Sequence, residues 1–122
     1  MAELEQVLGA MNRINDRMLV VVRMVGEERN RQIVTLRNDF ATETGNLINL
    51  LPGERRLTAR PDVFHEFQDR LAVIRRKLAS HQAKWTIEGI NQHRSEYLSS
   101  TKAIHDGIAE YLSWARSALR PH

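Results

Sequence analysis

Five histidines are the residues best suited to metal binding or catalysis in this chain, which contains no cysteine. They are His65, His81, His93, His105 and His122. A helical bundle can hold a di-iron site when a carboxylate precedes a histidine by three residues on the same helix face. Only His65 has such a neighbour, Asp62, and that aspartate is better placed to cap a helix. The pattern therefore predicts no metal site and no cofactor.

His81 is the histidine best placed for a covalent reaction. It follows an apolar register between Leu78 and Trp85, as the phosphoacceptor of a histidine-phosphotransfer bundle would. The surrounding segment, Ala79-Ser80-His81-Gln82-Ala83-Lys84-Trp85, lacks the small-residue Lys-Gly context of that family, so a half-buried structural histidine is favoured. Nucleophile elbows, phosphate-binding loops and zinc-protease motifs are also missing from the sequence. We therefore predict that the protein is not an enzyme.

Three prolines divide the chain into the elements that must position any site. Pro52 and Pro61 enclose a short connection, and Pro121 lies in the last dipeptide. Proline in a helix interior costs about 3 kcal/mol or more, so the two proline-free arms can be helical almost throughout. The 122 residues are predicted to form a single helical domain, with arms 1–51 and 62–120 joined by residues 52–61. Asp62 is predicted to cap the second arm.

Apolar residues in both arms recur at steps of three and four, which is the period of a helix. In the first arm the stripe runs from Leu4 to Val25 and resumes one position out of phase at Ile33. In the second arm it is disturbed between Thr86 and Gly89. The offset in the first arm is either a stutter in a continuous helix or a place where one helix ends and another begins. Folding the chain at its midpoint brings both offsets to one level, which predicts a shared structural feature there.

The arms contain more apolar residues than one stripe requires. Residues Met18 to Val22, together with Met24 and Val25, are apolar nearly all round a helix, and Leu98 and Leu112 widen the apolar face of the last helix. A lone hairpin would bury only one narrow stripe of each arm. The predicted fold is therefore all-α: an antiparallel helical hairpin that folds into a three- or four-helix bundle, or that dimerises.

Basic residues of the second arm are spaced for partner selection. Arg70, Lys77 and Lys84 are seven residues apart and flank the apolar stripe on one side, where charge usually selects a helical partner. The net charge is only +3, which is mild for a nucleic-acid surface. A nucleic-acid accessory role stays open as an alternative because of a second basic cluster in the connection. That cluster consists of Arg55, Arg56 and Arg60.

The last helix is predicted to supply the apolar part of a partner-binding surface. Its apolar arc is wider than packing on one neighbour requires, and aromatic residues at the edge of a seam often anchor a bound helix. The predicted apolar contact residues are Tyr97, Leu98, Ile108, Leu112 and Trp114. The same surface would serve equally as the dimer seam of a self-associating structural coiled coil. The sequence thus predicts a helical protein partner or a second copy, and nucleic acid is disfavoured.

The layout of the whole chain resembles the small flagellar and type III secretion export chaperones. The likeness lies in the length, the long N-terminal arm, and a segment from Trp85 to Leu98 that runs into an aromatic-flanked amphipathic helix. Asn91 matches the asparagines that those proteins often carry in this arm. The resemblance implies a cytoplasmic bacterial protein that holds an amphipathic helix of an export substrate. Separately, the acidic N-terminus and short apolar runs predict neither a cleaved signal peptide nor a membrane span.

Overall fold

Six α-helices make up most of residues 2–120, the part of the chain that the computed structural model describes. They are α1 (Ala2–Val21), α2 (Glu27–Leu50), α3 (Arg55–Thr58), α4 (Pro61–Lys84), α5 (Ile87–Gln92) and α6 (Arg94–Ala118). A 3₁₀ turn, Leu51–Gly53, follows α2. No strand occurs within residues 2–120, so the all-α prediction is confirmed. His122, one of the five histidines, lies outside the described residues.

Both offsets in the apolar pattern are places where one helix ends and another begins. α1 ends at Val21, and α2 begins directly after Gly26. α4 ends at Lys84, and α5 is capped by Thr86, whose hydroxyl accepts a hydrogen bond from the Gly89 N–H at 3.2 Å. The stutter alternative is therefore wrong for the first arm.

The second arm starts one residue earlier than predicted. α4 begins at Pro61, because proline fits the first helical position, where no N–H is needed. Asp62 consequently lies in the first turn, and the prediction that it caps the helix is wrong. Its carboxylate still interacts favourably with the positive end of the helix dipole. In the connection, Glu54 is the capping residue of α3, since its side chain accepts a hydrogen bond from the Arg56 N–H at 3.3 Å.

The core consists of two apolar clusters. The larger one joins α1, α2, α4 and α6 beside the connection. Its most deeply buried members include Leu4, Leu8, Met11, Leu47, Leu57, Phe67, Ile108 and Leu112. The smaller one consists of Met18, Val21, Val22, Ile33, Trp85, Ile90 and Tyr97. Because the smaller cluster joins residues from both offsets, the prediction that the offsets share one structural feature is confirmed.

The apolar run at the end of α1 is only partly buried. Met18, Val21 and Val22 lie in the smaller cluster, whereas Val20 and Val25 are 54% and 70% exposed. Part of the apolar surplus seen in the sequence thus lies on the surface of the turn between α1 and α2.

The packing of the long helices leaves α4 attached mainly through α6. α1 packs on both α2 and α6, and α4 packs on α6. Ring contacts join α4 to α6: the ring of Phe67 lies 6.2 Å from that of Tyr111, and the ring of His81 lies 5.8 Å from that of Tyr97. Grooves run along both flanks of α4, one towards α6 and one towards α2. The shape of these grooves therefore depends on how α6 holds α4.

Gly26→Ala is expected to lower the free energy of unfolding by about 1–3 kcal/mol. Gly26 has φ 91° and ψ −176°, a conformation almost restricted to glycine. No described atom lies within 4 Å of an added Cβ, so the variant reports backbone strain and not a clash. Urea unfolding measures the loss. Gly53→Ala is the matched control, because its Cβ also meets open space and its φ is not positive; equal losses in both variants would contradict the strain argument.

Candidate partner-binding groove

A groove between α4 and α6 contains four of the residues predicted to bind a partner. Its first stretch has a volume of about 410 Å³, with Arg70 and Lys77 on the α4 side and Ile108 on the α6 side. The remaining apolar lining includes Val73, Ile74, Ala103, Ile104, Gly107 and Tyr111. A space of this size lies within the range of protein ligand sites, and its lining suits apolar side chains.

The groove continues towards α5 in a second stretch of about 420 Å³. Lys77 and Ile104 line both stretches, and Lys84 and Trp85 line only the second. Between Arg70 and Lys84 the helix rises about 21 Å at 1.5 Å per residue. The groove is therefore long enough for about four turns of a docked helix.

Aromatic contacts towards both ends, and small residues between them, explain why the groove is open. Phe67 packs against Trp114 at one end, with ring centres 5.0 Å apart, and Trp85 packs against Tyr97 at the other. Between these contacts α6 presents Ser100, Ala103 and Gly107. No described atom lies within 4 Å of a Cβ added to Gly107. The small residues thus leave space that the aromatic contacts hold open.

Arg70 and Lys84 each lie over a tryptophan ring on the rim of the groove. The Arg70 guanidinium is 4.4 Å from the centre of the Trp114 ring, and its Nε donates to Glu66 at 2.7 Å. The Lys84 ammonium is 5.4 Å from the Trp85 ring. Cation–π contacts of this kind position the charge without neutralising it. Both side chains are therefore held at defined places on the rim.

Lys77 lies midway between Arg70 and Lys84. It has no ion-pair partner among the described residues. Glu110 is the one carboxylate among the described residues that line the two stretches. The rim is therefore basic overall, with its central cation available to an external carboxylate.

Three of the predicted contact residues are core side chains. Tyr97 and Ile108 are each 2% exposed and Leu112 is 1% exposed. The expectation that they are open to a partner is corrected, because tertiary packing already covers them within the chain. Ile108 still forms part of the groove floor. Leu98 and Trp114 are half-buried, and Trp114 lies at the end of the groove beneath Arg70.

The residues that sequence reasoning missed are small or lie on the solvent side of the stripe. Val73, Ala103 and Gly107 line the groove but do not belong to the apolar register. The available signal was Gly107, since a glycine in a helix interior costs about 1 kcal/mol relative to alanine. A glycine within a helix therefore indicates that open space is needed beside it.

A polar layer separates the two apolar clusters. Asn15 on α1 and His105 on α6 form a reciprocal buried pair, in which Asn15 Nδ2 donates to the His105 carbonyl at 3.0 Å and His105 Nδ1 donates to Asn15 Oδ1. On α4, the His81 ring nitrogens contact the hydroxyls of Ser100 at 3.1 Å and Thr101 at 3.3 Å. The buried histidines are thus hydrogen-bonded, as buried polar groups must be to avoid a desolvation penalty.

The surroundings of the two histidines favour their neutral form. Burial, with a smaller effect of Arg37 and Lys84, lowers the pKa of His81 to about 4. Burial, with His81 and Arg37 nearby, also lowers the pKa of His105 to about 4. Because His81 is only 7% exposed and both ring nitrogens are engaged, the geometry does not favour phosphoryl transfer. The described residues contain no group of three potential metal ligands.

The arginines of the connection contact other parts of the chain. Arg56 forms ion pairs with Glu5 at 2.8 Å and with Glu54 at 2.7 Å. Arg60 donates to the carbonyl of Ala118 at 2.9 Å, which binds the connection to the end of α6. Two of the three arginines considered for nucleic-acid binding therefore have structural contacts.

Asn91 also has a contact within the chain. Its Oδ1 accepts a hydrogen bond from Arg29, a buried cation on α2 that also donates to Asn30. The pair joins α5 to α2 near the helix breaks. The residue that carried the resemblance to export chaperones therefore links two helices of this fold.

Stability is expected to fall as the pH is lowered from about 6.5 to about 4. In this window the unfolded chain protonates His81 and His105, whereas the folded chain keeps them neutral, so their stabilisation is complete above the window and is lost through it. Each group contributes a slope of up to about 1.4 kcal/mol per pH unit. Chemical denaturation at several pH values measures this slope.

His105→Gln is expected to reduce the slope, and His65→Gln, which alters an exposed histidine, is the matched control. An unchanged slope in His105→Gln would contradict the assignment.

Two further findings concern membrane-spanning helices and similarity to known proteins. Within residues 2–120, none of the helices has the length and apolar character needed to cross a membrane. No protein-family model, curated protein or solved structure matches the sequence. The likeness to export chaperones therefore stays a prediction, and the function must be argued from the groove itself.

Proposed function

We propose that the protein binds an amphipathic helix of a partner protein in the α4–α6 groove and catalyses no reaction. The observation that carries the proposal is an open apolar floor. Val73, on this floor, is 39% exposed, and beside it Gly107 leaves space above Ile104. An amphipathic helix that lays its apolar face there removes this surface from water.

The proposal includes the arrangement of the four long helices as a four-helix bundle that serves as a rigid scaffold. In this scaffold α4 and α6 form the docking face, α1 supports α6 from behind, and α2 packs on α1. A chaperone or adaptor role in the bacterial cytoplasm is supported by the resemblance to flagellar and type III secretion export chaperones. In that role the bound helix belongs to an export substrate.

The energetics suit reversible binding. Each large apolar side chain that a partner buries on the floor contributes about 1.5–3 kcal/mol. Loss of translational freedom and ordering of side chains offset much of that sum. A few anchors on this floor therefore give weak to moderate affinity, and the basic rim of Arg70, Lys77 and Lys84 adds selectivity for acidic flanks.

A second copy of the chain is the alternative occupant. Residues 70–84 of α4 carry five cations and no carboxylate. A two-fold contact through this face places like charges opposite each other, because both copies present the same patch. The charge pattern therefore favours a foreign acidic helix over self-association.

Light scattering across a concentration series is expected to give the mass of one chain. The reason is the like-charge repulsion of the α4 face. Trp114→Ala should leave this mass unchanged, whereas a self-associating coiled coil would dissociate in that variant. A stable dimer of the unmodified protein would count against the proposal.

Gly107→Leu is expected to weaken peptide binding in the α4–α6 groove at least about tenfold, which corresponds to 1.4 kcal/mol. A Cβ added to Gly107 meets open space, so a leucine there projects into the groove, and leucine favours a helix over glycine. The probe is a synthetic amphipathic peptide with leucines on one face and glutamates beside them. NMR shifts of the Ala103 and Ile104 methyl groups report its binding.

Ser113→Leu is the matched control for Gly107→Leu. Ser113 is an exposed residue of α6 that lies outside the groove lining. The Ser113→Leu substitution adds the same side chain to the same helix and should leave peptide binding intact. Equal binding by both variants would show that the peptide does not use the groove.

A further inference from the structure

A second groove lies between α2 and α4, on the other flank of α4 from the proposed site. Its volume is about 580 Å³. Phe40 and Ile48 on α2 and Leu78 on α4 give it an apolar lining, and Ile48 is 37% exposed. Large apolar side chains in an open groove gain free energy when another molecule covers them.

Small residues on both walls of this groove leave space between α2 and α4. They are Ala41, Gly45, Ala72 and Ala79. No described atom lies within 4 Å of a Cβ added to Gly45, so packing among the described residues does not require glycine there. Glycine disfavours a helix interior, whereas small residues let a neighbouring helix approach closely. A helix docked over Gly45 would thus explain why α2 carries a residue that lowers its helical stability.

The charges of the groove select an acidic occupant. Arg37, Arg75 and Arg76 line it, and none of its described lining residues is a carboxylate. Arg37 donates to the Trp85 carbonyl at 2.9 Å, whereas Arg75 and Arg76 are exposed. Guanidinium groups bind carboxylates through paired hydrogen bonds. A second copy docked through its own α4 would instead place cations against cations.

The length of the groove fixes the size of the occupant. On α2 the lining extends from Arg37 to Ile48, and on α4 it extends from Ala72 to Gln82. Each segment extends about 15 Å along its helix axis, at a rise of 1.5 Å per residue. This length corresponds to about three turns of helix.

We propose that the α2–α4 groove binds an acidic amphipathic helix of about three turns from a partner protein. Its apolar face covers Ile48 and the small residues, and its carboxylates pair with Arg75 and Arg76. This site goes beyond the α4–α6 function because all of its α2 contacts are new, and on α4 it shares only Ile74 and Arg76 with the first groove. With both sites filled, the chain holds two helices, one along each flank of α4.

The test is a titration of the full chain with a three-turn synthetic peptide that has leucines on one face and glutamates beside them. NMR is expected to show shifts of the Ala41, Ile48 and Ala79 methyl groups, and calorimetry is expected to show two peptides per chain. Gly45→Leu should lose those shifts and bind one peptide, because the added side chain fills the groove. Its melting temperature should rise, since leucine favours a helix, and this rise shows that the variant is folded.

Gly107→Leu is the matched control, because it blocks only the other groove and should retain the shifts at Ala41 and Ile48. Four results would overturn the proposal. The first is that those methyl groups show no shift at about 1 mM peptide, and the second is that they shift equally in Gly45→Leu. The third is that a peptide with lysines in place of the glutamates binds equally well. The fourth is that the methyl groups shift without peptide while the protein has the mass of a dimer. The last result would assign the groove to a second copy. If the Ala41 methyl signal does not shift but the Ala103 signal does, only the α2–α4 site is refuted. If the Ala41 signal shifts but the Ala103 signal does not, only the α4–α6 function is refuted.

Discussion

The aromatic contacts between α4 and α6 are the interaction on which the surface of this protein depends. Phe67 meets Tyr111 and Trp114 in one group, and His81 and Trp85 meet Tyr97 in the other. Large rings at these two levels set the separation of the helices, and the small residues between them cannot fill it. The same contacts hold α4 to α6 while its other flank faces α2 across a groove. Both grooves are thus consequences of one seam.

The polar layer in the core explains how a small all-α protein keeps one arrangement of its helices. Asn15 and His105 join α1 to α6 through two hydrogen bonds, between an apolar cluster on each side. Sliding either helix would leave both buried groups without partners, at a cost of about 1–3 kcal/mol each. An apolar pair would tolerate such a shift more easily. The layer therefore fixes the register that aligns the two helix breaks.

The distribution of charge along α4 connects the fold to the proposed function. Its residues 70–84 carry cations without a carboxylate, and these residues line grooves on both flanks. Arg70 and Arg56 form ion pairs within the chain, whereas Lys77 has no such pair among the described residues. Uncompensated charge beside open apolar surface favours association with an acidic amphipathic partner. The two proposed sites share this logic and differ in which neighbour of α4 completes the groove.

The amino-acid sequence determined the all-α class, the helical arms and the level of the helix breaks, because proline placement and apolar spacing are local properties. The sequence was less precise about which residue begins a helix. Asp62 was predicted to cap the second arm, but the helix begins one residue earlier, at Pro61. Only the tertiary structure decided which apolar side chains stay open. Leu112 is covered by the packing of the long helices, while Val73, outside the stripe, lies in the groove. Periodicity identifies the face that a helix buries, but the separation between two helices depends on side chains from distant parts of the chain.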